Sequence, residues 1–144
     1  MTSQDRRKPL APLSDADYQA IAAFRAVLRR FLHFSEEAAR GAGISPQQHQ
    51  LLLAIRGYAG DGASPTIGEL ADALQIRHHS AVGLVDRLEA AGLVSRSTAE
   101  ADARKVFVHL TPQGDEVLSG LTSAHRREHR ELGAVLDALH RIEE

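Results

Sequence analysis

The chain has 144 residues and a formal net charge of −2, so it has the length of one domain and lacks the bulk basic charge of a protein that coats nucleic acid. It contains no cysteine, which excludes disulfides, thiolate metal sites and thiol redox sensing. Four Phe, two Tyr and no Trp leave too few aromatic platforms for a single-strand binder that stacks on bases.

The segment up to Pro12 reads as a loose arm carrying Arg6, Arg7 and Lys8. No apolar stretch of signal-peptide type follows it, and no apolar run approaches the length of a membrane span, so a cytoplasmic chain without membrane contact is expected. Ser14 reads as an N-cap, with Asp15 and Asp17 placed where carboxylates favour the helix dipole. Ile21, Phe24, Leu28, Phe31 and Leu32 then recur at helical spacing, and the amphipathic helix they predict runs to about Arg40, before Gly41 and Gly43. Ser45-Pro46 restarts a helix, with Leu51, Leu52, Leu53 and Ile55 as its core strip. Gly57, Gly60, Gly62 and Pro65 mark a loop. Thr66 with Glu69 has the capping-box spacing and opens a short helix with Leu70, Ala71 and Leu74 inward.

Gln75-Ile76-Arg77 reads as a tight turn into a further helix, about His78 to Ala91, with Ala81, Leu84, Val85 and Leu88 inward and Gly92 as its stop. The period then changes. Leu93–Arg96 and Val106–Leu110 are β-type runs joined by the polar stretch 97–105. Thr111-Pro112 opens another helix, and Leu132, Val135, Leu136, Leu139 and Ile142 are helical again. A short helix, a tight turn, a second helix and a two-stranded hairpin make a winged helix-turn-helix, whose second helix fits the major groove. The fold expected is mainly α with a small β-hairpin wing.

Arg77, His78, His79 and Ser80 open the recognition helix, where backbone amides already favour a phosphate, and Arg87 lies further along it. Across 77–105, Arg77, Arg87, Arg96, Arg104 and Lys105 stand against Asp86, Glu89, Glu100 and Asp102. Placement therefore carries more weight than net charge. His125 and His129 lie four apart, a spacing compatible with a metal, but no third ligand is evident and a solvated basic face is the simpler reading. No nucleophile–base set or phosphate loop is present, so no catalytic residue and no cofactor is expected.

Thr66–Ala71, Val85–Arg96, Ala101–Lys105 and Leu110–Gly114 together resemble the MarR (multiple antibiotic resistance regulator) family. The resemblance is densest over about 64–114, where an Asp-x-Arg element and a Leu-Thr-x-x-Gly helix start stand in order. It implies one MarR-like domain over 1–144, with dimerisation helices at about 14–40 and 112–144 and a DNA-binding region at about 46–111. It also implies a homodimer on double-stranded DNA, usually a repressor of a (pseudo)palindromic operator, often relieved by a small molecule. Arg104 is then the wing-tip residue that enters the minor groove, where Arg is drawn to narrow A·T stretches. Asp102 is expected to pair with Arg104 or Arg96, and the DNA-binding residues expected are Arg77, His78, His79, Ser80, Arg87, Arg96, Asp102, Arg104 and Lys105. The long first helix lines the effector site in such proteins, making Arg25, Arg29, His33 and His49 the expected ligand residues, suited to an aromatic acid or phenol. Many relatives carry Ser or Thr, then Arg or Lys, where Val82 and Gly83 stand here, so the operator does not carry over. Two other readings remain open: a winged-helix protein-interaction module without an operator, and a His-based metal sensor.

Overall fold

A computed structural model describes residues 11–102 and 104–142. The expected arm lies outside the described residues as far as residue 10. Six helices and one hairpin follow in order: α1 (Asp15–Gly41), α2 (Pro46–Arg56), α3 (Ile67–Leu74), α4 (His78–Ala90), β1 (Val94–Thr98), β2 (Val106–Leu110), α5 (Pro112–Ala124) and α6 (Arg126–His140). They form two compact units. One holds α1 as far as Phe31 together with the described residues from Glu128 on; the other is Leu32–Arg127. The division passes through α1 and near the start of α6, so α5 and the last turns of α1 belong with the winged part.

The helix starts follow their caps. Ser14 Oγ accepts from the Asp17 amide while Asp17 accepts from the Ser14 amide. Ser45 with Gln48, and Thr66 with Glu69, close the same reciprocal pair. Beyond α1, Gly43 takes a φ of 82° and the chain turns back, the Ile44 amide donating to Ala39 O. Between α3 and α4 the left-handed residue is Gln75, at φ 54°, with the Ile76 amide donating to Ala71 O at 3.0 Å. That single positive φ makes the turn tight enough to bring α4 across α3.

The core of the larger unit gathers Leu51, Leu52, Leu70, Ala81, Val85, Leu88, Val108 and Leu118 around the α3–α4 pair. Leu53, expected in the α2 core strip, is instead 45% exposed. Three consecutive leucines fan over about 200° of a helix, and Leu51 and Leu52 take the inward positions. The hairpin is antiparallel, pairing Val94 with Leu110 and Thr98 with Val106. It is also tied to the entry of α3, because the Val108 amide donates to Pro65 O and Thr66 bridges Phe107. In the smaller unit no residue of α1 or α6 is fully buried, and Tyr18 (62% exposed) and Leu136 (39% exposed) stand open. No described helix is long and apolar enough to cross a membrane.

Candidate nucleic-acid interface

The exposed start of α4 carries Arg77, His78, His79 and Ser80 on consecutive positions, and Arg87 stands exposed near its end. Arg77 is the N-cap, and no side chain closes the cap. The Ser80 and Ala81 amides both donate to Arg77 O, so His78 and His79 present the open amides of the first turn. Ala81, Leu84, Val85 and Leu88 turn inward as their spacing predicts, which points the polar positions outward. Helix and turn thereby deliver a ridge with a polar start, supported by α3 from behind.

The wing supplies the second element. Arg104 projects with its side chain 92% exposed, and Asp102 Oδ1 accepts from both its Nε (3.1 Å) and its backbone amide (3.0 Å). The Arg104 guanidinium and amide hold the Asp102 carboxyl below its ordinary range. Of the two partners expected for Asp102, the structure selects Arg104. Asp102 therefore orients the cation instead of offering a contact of its own. Lys105 is exposed beside it. Arg104, Lys105 and His78 converge with Thr66, Ile67, Gly68 and Val106 on a cavity of about 260 Å³ between wing, α3 and α4.

Arg96 departs from the expectation. Its guanidinium donates to Asp86 and lies 3.4 Å from Glu89, both on α4, and its side chain is only 26% exposed. The Asp86 hydrogen bond and the Glu89 charge hold it ionised more firmly than usual. Paired with two carboxylates of α4, this arginine braces β1 against that helix. A further brace escaped the sequence reading. His109 on β2 bridges two hydroxyls, Ser64 Oγ at 2.8 Å and Ser97 Oγ at 2.6 Å, linking both strands to the loop before α3. Tyr58 likewise donates to Glu69 at 2.6 Å, anchoring that loop to the cap of α3. Neither contact has a sequence signal, because the partners are 11 to 45 residues apart.

The expected ligand residues differ in their surroundings. Arg25 and Arg29 are exposed on α1. His33 is also exposed and pairs with Glu37 one turn on, at 3.2 Å. His49 is 5% exposed, its ring 5.4 Å from that of His125, and burial followed by the charge of His125 lowers its pKa from 6.5. His125 itself corrects the reading of a solvated basic face. It is 2% exposed, bonds Leu121 O through Nδ1 at 2.6 Å and meets Phe34 edge-on at 5.1 Å. As the C-cap of α5 it turns its ring into the core. His129 remains exposed, against Phe31. Among the described residues no group of three His, Cys, Asp or Glu side chains is placed to hold a metal. A cleft of about 410 Å³ opens between α2 and α5, lined by Leu53, Arg56, Asp115, Leu118 and Arg126 among others, with Arg56 and Asp115 paired at 3.3 Å.

Residues 42–105 match the family model described as the MarR family. A curated protein of Thauera aromatica, described as a transcriptional regulatory protein for the hcr operon, is 29% identical over 112 residues. The match takes in 78% of this chain but only 65% of that relative's length. The S. aureus MepR–DNA complex has a similar fold, with a TM-score of 0.65 at 22% identity over 77% of this chain and 80% of that one. So does Bordetella bronchiseptica BpsR, whose DNA binding is regulated by 6-hydroxynicotinic acid, with a TM-score of 0.62 at 21% identity over 88% and 99% of the two chains.

Proposed function

We propose that the chain is a MarR-type DNA-binding transcription regulator, as its match to the family model and to the Thauera relative supports, acting as a homodimeric repressor on a two-fold related operator and released by a small aromatic acid. The observation that carries the DNA-binding part is the wing tip. Arg104 is almost wholly exposed, is oriented by Asp102, and shares one face with the open start of α4. A protein-interaction module does not require an oriented, solvated arginine beside uncapped helix amides. Duplex DNA uses both, the amides at a phosphate and the arginine in the minor groove.

The dimer reading is supported by the smaller unit. Its stretches of α1 and α6 bury no residue fully, and Tyr18 and Leu136 are left for a second copy to cover. Recognition helices in such a dimer would meet half-sites about 34–36 Å apart. The effector reading is supported by the ligand control of BpsR and by the α2–α5 cleft, where an apolar wall at Leu53 and Leu118 meets a polar rim that includes the Arg56–Asp115 pair. An acid that binds there acts only if it favours one arrangement of the protein over another. The test is selection of bound genomic fragments with the purified chain, repeated with Arg104→Ala and in the presence of aromatic acids, with light scattering on the free protein. Enrichment of a two-fold related sequence by a dimer is expected. A monomer, or recovery of no preferred sequence, removes this reading.

A further inference from the structure

The outward face of α4 has a gap in its hydrogen-bonding groups. Ser80 precedes the gap and Asp86 and Arg87 follow it; between them Ala81, Leu84 and Val85 are buried, which leaves only Val82 and Gly83 toward the outside. Val82 is half-buried, packed on one side against the core. Gly83 has nothing within 4 Å of where a Cβ would stand. His79 and Arg87 lie one turn before and after Gly83, on the same line of the helix, and both are exposed. Two long side chains therefore flank a bare backbone position, with the Val82 methyls as a side wall. Asp86 is held by Arg96 against β1 and does not fill the space.

We infer that this notch at Gly83 reads the 5-methyl group of a pyrimidine in the major groove. The inference rests on the DNA-binding reading and deepens it. A helix face without donors or acceptors cannot tell base pairs apart by hydrogen bonds. What it can sense is the one apolar feature of the groove, the pyrimidine C5-methyl. A glycine also lets the helix backbone approach the base edges by the width of a side chain, and the open surroundings mean the free protein does not need glycine there for packing. The methyl belongs either to thymine or to 5-methylcytosine, since both display it at the same place.

The experiment uses the full-length protein and duplexes selected from a random-sequence library. Each thymine of the selected half-site is replaced in turn by deoxyuridine, which removes the methyl and nothing else. Each cytosine is replaced by 5-methylcytosine. One position per half-site should respond, by about fourfold in affinity, the equivalent of roughly 0.8 kcal/mol for one methyl-sized group. A loss on thymine demethylation identifies thymine, and a gain on cytosine methylation identifies 5-methylcytosine. Gly83→Ala fills the notch and should bind methylated and unmethylated duplexes alike, with a melting temperature equal to or above that of the parent. If no position responds to its methyl, or if Gly83→Ala keeps the full discrimination, the notch reading is overturned while DNA binding stands. A parent protein that retains no duplex even at low salt overturns DNA binding, and this inference with it.

Discussion

Gly114→Ala should be among the most damaging single-methyl changes in this chain. A Cβ at Gly114 would lie 2.0 Å from Leu93 O and 2.9 Å from Leu93 C, both backbone atoms. Restoring an ordinary contact requires α5 and the Leu93 turn to separate by more than about 1 Å. The bonds at stake are those that seat α5 on the α4–β1 turn. The Thr111 amide donates to Leu93 O at 3.1 Å, and the Thr111 hydroxyl donates to Gly92 O at 2.6 Å. Losing or stretching two hydrogen bonds costs roughly 1–3 kcal/mol, and overpacking costs roughly 1–3 kcal/mol more. The better helix propensity of alanine returns about 1 kcal/mol. The net loss is about 1–5 kcal/mol, or roughly 2–20 °C in melting temperature for a chain of this length. Gly120→Ala is the control, because it makes the same change in the same helix where nothing lies within 4 Å. It should be neutral or stabilising by up to about 1 kcal/mol. Urea unfolding of all three proteins at one fixed concentration, with the m-value checked for constancy, measures the difference. Equal midpoints for Gly114→Ala and Gly120→Ala would refute the argument that backbone contact at Leu93 demands glycine.

Asp102→Ala should leave the charge of Arg104 intact but release its orientation, weakening duplex binding less than Arg104→Ala does. Only Arg104→Ala should flatten the salt dependence, by roughly 0.9 in the log–log slope if the arginine neutralises one phosphate; titrations at several salt concentrations separate the two. His49 has a folded-state pKa below its ordinary 6.5, through burial and then His125. Its neutral form is therefore the one the fold favours. The associated stability is complete above about pH 6.5 and is lost as pH falls from there through the lowered value. Unfolding midpoints from pH 7.5 to 5 should decline accordingly, and His49→Gln should decline less steeply; parallel curves would assign the acid sensitivity to other groups.

Local chemistry was legible without the fold. The Ser45-Pro46 helix start, the Thr66–Glu69 capping box and the inward stripe of α4 are each written within a short stretch of chain, where spacing alone sets geometry. So was the start of α5, whose Thr111 caps the Gly114 amide. The reason for Gly114 was not legible, since it lies in the backbone of Leu93, 21 residues earlier. Side chains with a choice of partner could not be resolved from sequence either. Arg96 looks as free as Arg104 along the chain, yet the hairpin register sets it against Asp86 and Glu89 while Arg104 projects into solvent. His125 sits among charged residues in the sequence but ends α5 at an angle that turns its ring toward Phe34 and His49. Spacing determines which face of one element a residue occupies. Only packing decides what that face meets, because the partners come from elements remote in the chain, and their distances of approach depend on every residue between them.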